Sequence, residues 1–193
     1  MSPPSNAGLT PEIDALRQEF ERIAQQADQL VAPLSDAQFS WQPTPERWSI
    51  AHCLDHLNAT ARVYLPALDE AIANASKRAM FGRGPYTYNV IGRLMVALME
   101  PPPRFTFKAP KEFLPPIDRP RREIVAAFRA YQVQFVDRLR QANGVDLARA
   151  RVRSPASRWL ALPLGSGFEL MAAHERRHLH QVERLMATPG FPG

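Results

Sequence analysis

The chain has very little cysteine: Cys53 is the only one among 193 residues, so no internal disulfide can form. It also lacks a long apolar run. Its most apolar stretch, Val90 to Met99, is interrupted by Arg93 and falls far short of the ~20 residues that cross a bilayer. The opening segment from Met1 to Gly8 is rich in Pro, Ser and Asn, without the basic-then-apolar order of a secretory signal. Internal repeats, low-complexity segments, Asn-Gly-type hairpin signals and runs of five like charges are missing too. These absences point away from a disulfide-stapled, membrane-spanning or repeat protein. The expectation is a cytoplasmic protein with no membrane partner.

What is present is an ordinary globular composition. Hydrophobic residues make up 45% and charged residues 22%, enough to build one packed core in a chain of this length. The net charge is +5, which raises the question of nucleic acid. Acidic residues are interspersed throughout, however. The basic clusters Arg119, Arg121, Arg122 and Arg149, Arg151, Arg153 come with no reading motif, so no nucleic-acid partner is expected.

Hydrophobic periodicity is helical in four long segments. The first starts at Thr10, an N-cap residue followed by Pro11, and carries Ile13, Leu16, Phe20, Ile23, Ala27 and Leu30 on one face. Ser35 and Gln38 stand at capping-box spacing in a short turn. The second helix begins after Ser49 with the stripe Ile50, Leu54, Leu57, Ala61, Tyr64, Leu68, Ile72, and Pro66 inside it predicts a kink. Tyr88 to Met99 reads as a short helix, and the Pro-rich run from Pro101 to Pro116 as an ordered crossover that covers or lines one end of the fold. The third helix runs from about Pro120 to Gln141. Arg151 to Leu162 reads as a loop with a buried Trp159. The fourth helix starts near Ser166, with Glu169 completing a second capping box, and its stripe is Leu170, His174, His178, Gln181, Leu185. The fold class predicted is all-α: an antiparallel four-helix bundle spanning 10–188, with tails at 1–9 and 189–193.

The fourth stripe puts histidine where leucine is expected. His174 and His178 are four apart, so they share one face with Cβ atoms about 5–6 Å apart. Two buried imidazoles are costly if charged and need partners if neutral. A divalent metal, which takes neutral imidazole nitrogen, meets both conditions. The second helix offers a third ligand as either His52 or His56. His180 lies about 120–160° around its helix from the pair and is excluded. Gln181 is a residue that could orient a ligand or face a substrate. Cys53 reads as a small buried apolar residue.

His174-Glu175-Arg176-Arg177-His178 also matches the H-E-x-x-H pattern of zinc peptidases, with Glu175 as base. The context fails: no glycine or histidine follows at metzincin spacing, few residues remain downstream, and no sheet flanks the helix. Glu175 is therefore expected at the pocket rim or the surface, paired with an arginine.

The run Trp48-Ser49-Ile50-Ala51-His52-Cys53-Leu54-Asp55-His56-Leu57 resembles the second-helix signature of the DinB-like superfamily. His174-Glu175-Arg176-Arg177-His178-Leu179-His180-Gln181 resembles its fourth-helix His-x-x-x-His-x-x-Gln signature. His180 departs from the pattern, standing where a small or polar residue is common. The resemblance implies a four-helix bundle with a three-histidine metal site at His56, His174 and His178, favouring His56 over His52. It implies zinc or nickel, or iron or manganese, and a homodimer. It further implies a metal-dependent thiol S-transferase that uses a low-molecular-weight thiol on a small-molecule electrophile. The alternative is a non-catalytic metal- or ligand-binding bundle protein.

Overall fold

A computed structural model describes residues 8–102, 105, 113, 114, 119–157 and 159–193. The described residues are mostly helical, with one small antiparallel sheet. The elements are α1 (Pro11–Val31), α2 (Asp36–Ser40), α3 (Ile50–Lys77), α4 (Val90–Met99), α5 (Arg121–Gln141), β1 (Arg151–Arg153), β2 (Ala161–Pro163) and α6 (Leu164–Met186).

Local chemistry sets most of these boundaries. Pro11 opens α1, where its missing N–H loses no helix bond. Thr10 makes no side-chain cap; its backbone N–H donates instead to Asn143 Oδ1 at 3.0 Å, tying the start of α1 to the end of α5. The reciprocal capping box of Ser35 and Gln38 forms as expected at α2. At α3 the box is completed by a histidine. The Ser49 backbone N–H and hydroxyl both approach His52 Nδ1, at 3.3 and 2.7 Å, while the His52 backbone N–H donates to Ser49 Oγ. The helix then continues through Pro66 without ending there.

The last third of the chain departs from the sequence-based expectation. Arg151–Arg153 and Ala161–Pro163 form paired antiparallel strands rather than loop, matching Arg151 with Pro163, Val152 with Leu162 and Arg153 with Ala161. Val152 and Leu162 point into the core; Arg151, Arg153 and Ala161 are exposed, whereas Pro163 is buried where the strand runs into α6. Trp159 sits in the connecting turn and is 83% exposed, not buried. The fourth long helix starts at Leu164, directly from β2, so Ser166 is inside its first turn and caps nothing. Ser166 is fully buried where Gly92 of α4 packs against it; a Cβ on that glycine would collide with its hydroxyl.

The four long helices pack in a closed arrangement: α3 lies against α5 and α6, and α1 lies against the same two. Helix α4 rests on α6, and β1 on α3. Phe20 of α1 and Phe135 of α5 stack at the centre, with ring centroids 4.8 Å apart. A second apolar cluster, including Ile50, Cys53, Leu54, Ile124 and Val182, closes the end where α3 begins. Cys53 is fully buried there, and burial pushes its thiol up to about 12, so it is inert. No helix among the described residues is long and apolar enough to cross a membrane. The Pro-rich run expected as a crossover lies mostly outside the described residues, but Phe113 within that run is buried in the main core.

Both stacked rings are almost wholly shielded from water, so truncating one leaves a cavity that this packing cannot refill. Phe135→Ala should lower unfolding free energy by about 3–5 kcal/mol, read from urea denaturation at constant m-value. A loss below about 1 kcal/mol would contradict the placement of this pair.

Candidate metal centre

Helices α3 and α6 bring His56, His174 and His178 together. Their ring nitrogens lie within 4.8 Å of one another. His174 Nε2 is 3.2 Å from His56 Nε2 and 3.2 Å from His178 Nε2. His52 is not in the group, because its ring is engaged in capping α3. His180 is also outside it, turned toward Glu183 at 3.5 Å. Of His52 and His56, it is His56 that lies in the cluster with His174 and His178.

Proton positions follow from the outer partners of the rings. His56 Nδ1 is 2.6 Å from the Phe113 carbonyl oxygen, which can only accept, so Nδ1 carries the hydrogen and Nε2 is bare. His178 Nδ1 is 3.1 Å from Gln181 Oε1, which fixes the same tautomer. His174 Nε2 has at most one hydrogen to offer two bare nitrogens. At least one of the two 3.2 Å contacts therefore sets lone pair against lone pair.

A cation removes that conflict. A tetrahedral ion with metal–nitrogen bonds of about 2.0–2.1 Å holds its ligand nitrogens about 3.3–3.4 Å apart, close to both separations. Burial favours the neutral, ligating form of each ring. It pushes His174 down to about 3, with the charges of His56 and Arg177 adding to the effect. It also holds His178 well below the usual histidine range, and it lowers His56 against the opposing pull of the Phe113 carbonyl. The donor set can hold a divalent metal ion, and among the described residues no fourth His, Cys, Asp or Glu joins it.

Trp48, just ahead of α3, forms one wall. Its ring lies 5.0 Å from His56 and stacks on His178 at 5.9 Å and 22°. On the far side a cavity of about 270 Å³ opens against His56 and His174. Thr60 and Tyr64 of α3, Met95 and Met99 of α4, Leu170 and Met171 of α6, Phe113, and the hairpin turn complete its lining. Phe113 and two methionines of α4 thus contribute to the cavity wall. Arg177 is near enough to act on the histidines, but its guanidinium donates to the carbonyls of Leu98 and Phe105.

A family model for the DinB superfamily matches residues 19–182. The chain belongs to the DinB superfamily. No curated protein and no solved structure matches it. In this DinB-superfamily chain the two signature runs fall on α3 and α6 and supply all three imidazoles.

The sequence reading missed three features around the site. Trp48 was seen only as a helix-start signal, although an aromatic residue just before a ligand-bearing helix is well placed to pack on the ligands. The Phe113 carbonyl comes from the Pro-rich segment, which has no periodicity to predict such a contact. Glu175 overturns the expectation of a rim carboxylate paired with an arginine. It is 3% exposed and turned to α5, where its Oε1 accepts from Gln132 Nε2 at 2.9 Å. It is thus engaged away from the histidines, which removes the remaining support for the peptidase reading.

Burial raises the Glu175 carboxyl to about 8, against the opposing effects of Gln132 and Arg176. Its ordinary value is 4.5. Between those values the folded chain keeps a proton that the unfolded chain has lost, so this group's contribution to stability falls as pH rises through that window. In chelator-treated protein, Glu175→Gln should gain stability relative to the parent as pH is raised from 5 to 8, measured by urea unfolding at several pH values. A difference that is flat or reversed with pH would show that Glu175 is ionised in the folded state.

Proposed function

We propose that His56, His174 and His178 hold one divalent metal ion, zinc or nickel first and iron or manganese next. On this reading the protein is a cytoplasmic metal-dependent thiol S-transferase acting on small electrophiles. The proposal includes an antiparallel four-helix bundle domain over 10–188 and a homodimer. One observation carries it: the three-histidine set has an open side, and that side faces a largely apolar cavity. Three protein ligands with an open position is the pattern of catalytic rather than structural sites.

A divalent metal bound here supplies a Lewis-acid position at which a thiol ionises near neutral pH. The chain's own residues do the rest. The Phe113 carbonyl and Gln181 lock two rings with Nε2 inward. Trp48 packs against His56 and His178 and restricts their rotation. Met95, Met99, Phe113, Leu160 and Leu170 give the space beside His56 and His174 a largely apolar wall, which would strengthen electrostatic interactions there. A non-catalytic ligand-binding role draws on a different observation: among the described residues, the cavity lining holds no carboxylate or lysine to serve as a separate acid or base.

Elemental analysis of protein purified without chelator should find close to one metal per chain. His178→Ala should lose it and His180→Ala should keep it; equal loss from both variants would contradict the assignment of the inward face. Metal removal should lower the melting temperature, since binding to the folded state alone stabilises it. Loaded protein mixed with a low-molecular-weight thiol and a chlorodinitroarene should release thioether faster than the metal-free control. No excess rate with any common thiol would favour the ligand-binding role.

A further inference from the structure

Helix α4 is apolar on two sides, and Arg93 is its one charged residue. At about 100° per residue, Gly92, Met95, Val96 and Met99 share the side that packs on α6 and the main core. Val90, Ile91, Leu94 and Ala97 share the opposite side, which faces outward. There Val90 is 69% exposed, and Ile91 and Leu94 are each 55% exposed. A helix that is hydrophobic all round is normally covered all round, so this outer side calls for a partner.

The apolar surface continues beyond α4. Eight large apolar side chains are exposed among the described residues, and six of them belong to three segments that wall the cavity. They are Val90, Ile91 and Leu94 of α4, Phe105 and Leu114 of the Pro-rich run, and Trp159 between β1 and β2. Inner side chains of the same segments, Met95, Met99, Phe113 and Leu160, meet at that one cavity. Arg177 also joins α4 to the Pro-rich run by donating to the carbonyls of Leu98 and Phe105. The six outer side chains are therefore gathered on one part of the surface rather than scattered over it. At about 200 Å² for a whole aromatic side chain and about 120 Å² for an aliphatic one, they expose on the order of 500 Å². A stable interface covers about 800 Å² per partner, somewhat more than half of it apolar. This face supplies the apolar share of one such interface.

We infer that a second copy of this chain docks on the face, through a two-fold contact centred on Leu94 of α4. The inference rests on the homodimer reading above and locates its interface. None of the six side chains is charged, so the face is complementary to itself: two copies bury each other's apolar surface and strand no charge between them. Helix α4 is then held between its own α6 and the other copy. Because Met95 and Met99 on its inner side line the cavity, the partner backs the wall beside the open side of the histidines.

Sedimentation velocity of the full chain, chelator-treated and in parallel zinc-loaded, should show a dimer in both forms at micromolar concentration. Leu94→Glu places a charge at the centre of the contact and should weaken association roughly thirtyfold or more, and Ile91→Glu should act in the same direction. Val133→Glu, at a 61%-exposed position on α5 away from this face, should leave the dimer intact. The substituted side chains are exposed within the single chain, so both α4 variants should keep the parent's circular dichroism and melting cooperativity. That separates a lost contact from a lost fold. Amide hydrogen exchange over residues 90–99 should be slower in the parent than in Leu94→Glu at equal concentration. A dimer unmoved by both Leu94→Glu and Ile91→Glu would overturn the placement of the interface and leave the homodimer reading intact. A monomeric parent would overturn both. A monomeric parent that floats with phosphatidylcholine–phosphatidylglycerol vesicles would assign the face to a membrane and overturn the proposal as well. The chelator-treated measurement needs no metal, so failure of metal binding or of thiol transfer would leave its result standing.

Discussion

Two helices of this protein aim three imidazole nitrogens at one another in a site shielded from water. Two of those nitrogens are bare, because Phe113 and Gln181 draw the hydrogens to the opposite side of the rings. Without a cation the arrangement leaves lone pairs opposed at 3.2 Å. Burial further disfavours relieving the conflict by protonation, since a charged ring there would lose its hydration. The three-histidine cluster could hold a divalent cation, which would remove the conflict.

Much of the surrounding architecture can be understood from that constraint. His56 lies in the second turn of α3, so the start of that helix must be rigid; the Ser49–His52 capping box and the apolar cluster around Ile50 and Leu54 make it so. Asp55, adjacent in sequence, is buried and bound to Arg119 at 2.8 Å, which ties the approach to α5 to the same turn. Helix α4 and the hairpin pack near the start of α6, Met95 and Met99 projecting from one and Ser154 and Leu160 from the other. They leave the open side of the histidines facing a small space rather than bulk solvent. The HExxH resemblance fails for a related reason. Consecutive positions on a helix differ by about 100°, so with His174 turned to α3, Glu175 is turned to α5 and finds Gln132.

The helices were legible because their signals are local and redundant. The stripe on α3 is buried at every position named for it, and caps at Ser35 and Ser49 form where their spacing placed them. The His174–His178 pair was legible for the same reason, as two polar residues interrupting an apolar stripe. The third imidazole was not decided by pattern, since His52 and His56 both lie near the inward face. Family resemblance favours His56, and the ring of His52 is engaged in capping α3. The hairpin was hidden because each strand has only three residues, flanked by arginines in one and ending in proline in the other, with no tight-turn signature between them. The start of α6 was misplaced for a connected reason: Ser166 has the composition of a cap, but the chain enters the helix straight from a strand that ends at Pro163. The exposure of Trp159 is not legible either, since the position of a side chain at a hairpin tip depends on tertiary structure.

X-ray absorption at the metal edge of zinc- or nickel-loaded protein tests the convergence of the three imidazoles most directly. Ligation by His56, His174 and His178 predicts nitrogen neighbours at about 2.0–2.1 Å, with outer-shell scattering from three imidazole rings that drops to two rings in His56→Ala. A first shell of oxygen alone, or ring scattering unchanged by His56→Ala, would contradict it.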